Sequence, residues 1–132
     1  MPERLALLWE RLAAHPSWVL SGSALKWGDP IVPLYDLIVF LTLDPTLRMQ
    51  RLQMRERARY GHRIEPGGDM VEASAAFLAW AAAYDTAGPE QRSRVAHEAW
   101  LAARTVPVLR LDSAQPLETL TAAVLSFVQI KV

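Results

Sequence analysis

An α/β fold is predicted for this chain, as a three-layer αβα arrangement in which a partial parallel sheet of about three strands carries helices on both faces. Three observations predict it. The run Leu37-Ile38-Val39-Phe40-Leu41-Thr42-Leu43 is apolar without alternation and rich in β-branched and aromatic residues, the pattern of a strand covered on both sides. Shorter strand-like runs, Trp18-Val19-Leu20 and Pro107-Val108-Leu109-Arg110-Leu111, are separated from it by segments of helical periodicity. Parallel neighbours need such crossovers, usually a helix. A length of 132 residues with 52% hydrophobic content suits one domain over residues 1–132 with a single core.

The elements follow in order. Leu5, Leu8, Trp9 and Leu12 recur at helical spacing, and His15-Pro16 closes that first helix because proline disfavours the helical conformation of its predecessor. The strand-like run Trp18-Val19-Leu20 ends in Ser21-Gly22-Ser23, and a proline-rich loop leads to Leu37. Asp44-Pro45 starts a helix that runs to about Tyr60, with Asp44 or Thr46 as cap and proline in the first turn, where its missing N–H costs nothing. Gly67-Gly68 breaks the chain, and Asp69 is placed to cap a heavily buried helix, Met70 to about Tyr84, rich in alanine with Phe77, Leu78 and Trp80. A further helix is predicted from Glu90 to about Arg104. Gln115 to Val128 forms an amphipathic helix on Leu117, Leu120, Val124, Leu125 and Val128.

Composition excludes several functions. Fourteen basic and fourteen acidic residues leave no net charge, so the footprint of a general nucleic-acid binder is missing. Without cysteine there is no disulfide framework, thiolate metal site or cysteine nucleophile, which agrees with a cytoplasmic location. No segment has the roughly 20 apolar residues of a membrane span. His97-Glu98 resembles the opening of a zinc-protease helix, but Leu101 and Ala102 stand where a second histidine is needed, and no nucleophile-elbow pattern occurs. No metal site is predicted.

The charge that matters is local. On a helix starting after Asp44, Arg48, Arg51, Arg55 and Arg59 fall within an arc of about 80°. Leu47, Met54 and Ala58 form the neighbouring apolar stripe, expected to pack on the core. Between Pro45 and Glu65 six arginines face only Glu56 and Glu65, and no lysine is present. A planar guanidinium grips phosphate oxygens in a bidentate fashion, so the run reads as an anion-handling surface. A solvated helix face with i to i+4 pairing is the plainer alternative.

The order of these segments, Trp18 to Gly22, then Asp36-Leu37-Ile38-Val39-Phe40-Leu41, then Pro45-Thr46-Leu47-Arg48-Met49-Gln50-Arg51-Leu52, resembles the P-loop kinases of small molecules, adenylate kinase and shikimate kinase among them. The resemblance implies an ATP- and magnesium-dependent phosphotransferase fold binding a nucleotide or phosphorylated small molecule. It makes residues of about 55–69 the lid, with Arg55, Arg59 and Arg63 closing on the transferred phosphoryl group. His62 and Pro66-Gly67-Gly68 belong to that lid, and Asp69 and Tyr84 match positions in the helix after it. Leu109 to Pro116 resembles the segment bordering the adenine ring. Asp112, Ser113 and Gln115, with Arg51, are the nucleotide-binding candidates. Asp29, in the loop after Gly22, is the candidate to orient the acceptor. Trp27, beside Lys26 in the same loop, reads equally as loop packing or as a residue placed to stack on a base or sugar.

The sequence departs from that family in three places. Ser21-Gly22 stands where adenylate kinases usually have Asp-Gly, and Gly67 stands where they carry an arginine. The phosphate motif Gly-x-x-x-x-Gly-Lys-Ser/Thr is missing from these residues, Gly22-Ser23-Ala24-Leu25-Lys26 having one glycine and the wrong spacing. The expectation is that Met1 is not the natural start, or that the chain is a domain fragment lacking about fifty residues of a first βαβ part. This chain is then expected to be inactive as a transferase. From a different class comes a second expectation, a non-catalytic binding or self-association module whose unpaired sheet edges recruit another copy.

Overall fold

The computed structural model describes residues 3–131, with side chains to Val128. In chain order it contains α1 (Glu3–Ala13), a 3₁₀ helix (Asp29–Leu34), β1 (Ile38–Thr42), α2 (Pro45–Tyr60) and a 3₁₀ turn (Gly61–Ile64). Then come α3 (Val71–Ala82), a second 3₁₀ turn (Ala83–Asp85), α4 (Arg94–Ala102), β2 (Val108–Asp112) and α5 (Leu117–Lys131). The class is α/β.

β1 and β2 are parallel neighbours, paired from Ile38 with Val108 through Thr42 with Asp112. The ladder is prolonged at both ends, where Ile38 N–H donates to Pro107 O (3.0 Å) and Ser113 N–H to Thr42 O (2.7 Å). That last bond brings the turn after β2 beside the carboxyl end of β1.

Among the described residues the sheet has two strands rather than about three. Trp18-Val19-Leu20 is extended but pairs with nothing, and Val19 is 96% exposed. Its alternation explains the misreading. Trp18 and Leu20 turn inward onto a small core of Leu5, Leu12 and Ile31, joined by Leu8 and Tyr35, while Val19 turns out. β1 is also less covered than its unbroken apolar run implied, since Leu41 remains 54% exposed.

α2 begins as Asp44-Pro45 predicts: Leu47 N–H donates to Asp44 Oδ2 (3.2 Å) with proline at the first helical position. Its apolar stripe does not enter the core, however, and Met54 is exposed. The buried residue of α2 is Glu56, whose Oε1 accepts from Ser74 Oγ of α3 (3.0 Å). A hydrogen-bonded polar pair thus joins these helices.

Two further boundaries move for reasons of capping and packing. Asp69 does not cap α3, because Arg63 binds its carboxylate in a fork at 2.9 and 2.8 Å. α3 then starts at Val71 and, with Trp80 44% exposed and Ser74 as its buried residue, is not the heavily buried helix expected. α4 starts at Arg94 rather than Glu90, since Ser93 is its cap: Ser93 Oγ accepts from Ala96 N–H (3.1 Å) and donates to Gly88 O (2.8 Å). In α5, Leu117, Leu125 and Val128 stay exposed.

Candidate functional site

Ligands of open α/β sheets bind beyond the carboxyl ends of the strands. A cleft of about 370 Å³ lies there, floored by Phe40 to Leu43 and walled by α2, the end of α3 and the start of α4. Four arginines line it, Arg48, Arg55, Arg92 and Arg94, against one carboxylate, Asp85. The cleft is therefore strongly cationic in a chain of zero net charge.

Each cation is placed by a short local device. Asp44 sets the start of α2, which presents Arg48 one turn in and Arg55 two turns later. Arg48 Nη2 donates to Asp85 Oδ2 (2.9 Å) and to Ala81 O (3.4 Å), and its guanidinium lies 5.3 Å from the Tyr84 ring centroid. Its Nε is buried without a hydrogen-bond partner. A buried donor left unmade costs about 1–3 kcal/mol, so this guanidinium is held in place at a cost in stability. Asp85 also holds Arg94 at 3.7 Å. Arg92 reaches over Trp80 (5.6 Å), and among the described residues neither Arg92 nor Arg55 has an acidic partner.

At the inner wall stands a hydrogen-bonded chain that the sequence did not suggest. Tyr84 Oη lies 2.6 Å from His97 Nδ1, and Ser23 Oγ lies 3.2 Å from His97 Nε2. Phe40 meets the imidazole edge-on at 5.8 Å. Burial, followed by the charge of Arg92, holds the His97 pKa below its ordinary value against the pull of Glu98, so the ring is neutral at pH 7. Burial, with the Asp85 carboxylate, raises the Tyr84 pKa against the neighbouring arginines, keeping its hydroxyl protonated.

The predicted site residues divide into two groups. Arg55 and Ser113 line the cleft, and Arg51 Nη1 donates to Ser113 O (3.2 Å), tying α2 to the turn after β2. Asp112 and Gln115 shape that turn, Ala114 N–H donating to Asp112 Oδ1 (2.8 Å) and Gln115 N–H to Asp112 O (3.2 Å). Arg59 and Arg63 do not reach the cleft. Arg59 lies over Tyr60 (5.3 Å), and Arg63 is held by Asp69. One face of a helix is not one site: Arg59 is eleven residues beyond Arg48, about 16 Å along the axis.

Asp29 is elsewhere too, accepting from Trp100 Nε1 (3.3 Å) at the start of its 3₁₀ helix. Trp27 carries the Arg4 guanidinium 4.1 Å above its ring, so that face is already covered. Arg92, Arg94 and His97 escaped sequence reading because the turn before Ser93 brings them back across the sheet. The Ser93 cap was their readable signal.

Phosphate groups fit this donor set, since guanidinium N–H groups match their oxygens. Magnesium does not. A hard cation needs oxygen ligands, and the one carboxylate in the cleft is engaged by two arginines. Among the described residues no three His, Asp or Glu side chains converge, and no described helix is long and apolar enough to cross a membrane.

No family model matches the chain, and no solved structure does. It is 44% identical over 112 residues to the uncharacterized protein YqaC of Bacillus subtilis (strain 168), an alignment covering 85% of this chain. The match spans 63% of that relative's length.

Proposed function

We propose that the cleft binds the phosphoryl groups of a nucleotide or phosphorylated small molecule, within a domain related to P-loop kinases of the three-layer αβα kind. The observation that carries this reading is the cation excess at the carboxyl end of a parallel strand pair. Arg55 and Arg92 supply the free guanidinium groups, while Asp85 holds Arg48 in place. Ser113, fixed by Arg51, borders the ligand on the side of β2. The chain holds its ligand without turning over ATP, because the glycine-rich phosphate motif and its lysine are not among these residues.

Calorimetric titration with ADP tests the reading. Arg55→Ala is expected to weaken binding about 10- to 100-fold, the loss of one charge-assisted hydrogen-bonded contact of about 1.5–3 kcal/mol. Added salt should weaken wild-type binding in the same direction. Unchanged affinity in Arg55→Ala, or no heat with millimolar ADP, contradicts it.

A second reading has its own support. Neither outer edge of the two-stranded sheet has a strand partner among the described residues, and Leu41 is 54% exposed. Self-association through that edge gives a concentration-dependent mass by light scattering. A monodisperse monomer contradicts this second reading.

A further inference from the structure

We infer that Ser23 is a nucleophile that accepts a phosphoryl group from an acyl phosphate, with His97 taking its proton and Tyr84 orienting the imidazole. A nucleophile, a base within hydrogen-bond reach of it and a third group holding the base form the geometric signature of an activated hydroxyl. Ser23 Oγ at 3.2 Å from His97 Nε2, and Tyr84 Oη at 2.6 Å from Nδ1, supply all three. In the tautomer that donates Nδ1–H to Tyr84, Nε2 is the acceptor for the serine hydroxyl. The inference rests on the reading of the cleft as a site for phosphoryl compounds.

The surroundings select phosphorus as the electrophile. A second cavity, of about 280 Å³, adjoins the first, and Arg92 lines both. Ser23 opens onto this second cavity together with Lys26, Arg92, Trp27 and the carboxylate of Glu90. Lys26 has a φ of 69°, a left-handed conformation a lysine seldom adopts, and such strain concentrates at functional sites. The two cations of this cavity, set against the one carboxylate of Glu90, leave a net positive lining that suits phosphoryl oxygens during transfer and on the phosphoserine it yields. Neutral His97 is a competent base at pH 7.

The step balances without a metal. The Ser23 oxygen forms a bond to phosphorus and its proton passes to Nε2. The bond from phosphorus to the acyl oxygen breaks, and the carboxylate leaves with the electron pair. A carboxylate is a weak base and a good leaving group, so an acyl phosphate is the donor we assign.

Incubating the chain with acetyl phosphate in metal-free buffer, with intact and fragment mass spectra, tests the inference. One phosphoryl group on Ser23 is expected, absent in Ser23→Ala and retained in Ser21→Ala. His97→Gln should slow the reaction about 100-fold or more, and imidazole should restore rate to His97→Gly. The wild-type rate should rise with pH through a midpoint below the ordinary histidine value, a dependence that a purely structural His97 does not confer. Unmodified Ser23, transfer from ATP alone, or an undiminished rate in His97→Gln overturns it. If ADP still binds the arginine cleft while Ser23 stays unmodified, this inference fails and the cleft reading stands.

Discussion

Ser93 and His97 show what single side chains contribute to the wall of the cleft. Ser93 is fully buried and uses its hydroxyl twice, as the cap of α4 and as a donor to the Gly88 carbonyl. Ser93→Ala should lower stability by about 1–3 kcal/mol, read from urea unfolding, because it removes a cap and leaves a carbonyl unsatisfied. His97 behaves oppositely with pH. Its folded-state pKa is depressed, so the unfolded chain binds the proton at higher pH and stability rises with pH through that window. The urea midpoint should therefore fall as pH drops below about 6.5, the unperturbed histidine value, and His97→Gln should flatten the dependence. A midpoint indifferent to pH between about 7 and 5, the histidine range, contradicts the burial assigned to this ring.

Elements were legible where local chemistry is self-sufficient. Asp44-Pro45 announced α2, and β1 was readable from its unbroken apolar run, because a cap and a β-branched stretch need no distant partner to be recognised. Trp18-Val19-Leu20 was misread because a segment with alternate residues packed inward and a paired strand share the same period, and only a partner distinguishes them. The Arg63 to Met70 turn was equally opaque. There Met70 N–H donates to Arg63 O (2.9 Å), and Arg63 is spent on Asp69 rather than on a ligand. A Cβ on Gly68 would collide with the Arg63 carbonyl. Gly68→Ala should open this turn and cost about 1–3 kcal/mol, as overpacking does, while proteolysis near Glu65 accelerates. Wild-type stability in Gly68→Ala contradicts this geometry.

The molecule as a whole concentrates charge that its composition hides. Equal numbers of acidic and basic residues conceal a cleft in which four arginines meet one carboxylate. That Arg55 and Ser113 line the cleft was readable because the helix after β1 and the turn after β2 both start at the carboxyl edge of the sheet. The places of Arg92, Arg94 and His97 were not, since they arrive through tertiary packing of α4 and the turn before it. The helical wheel grouped Arg59 with Arg48, but the length of α2 separates them.

The most direct measurement follows the arginine Nε–H signals by nuclear magnetic resonance during titration with ADP. Arg48 and Arg55 are expected to shift, while Arg59 and Arg63 stay still. Shifts confined to Arg59 and Arg63, or none at Arg48 and Arg55 with millimolar ADP, would contradict the cleft reading.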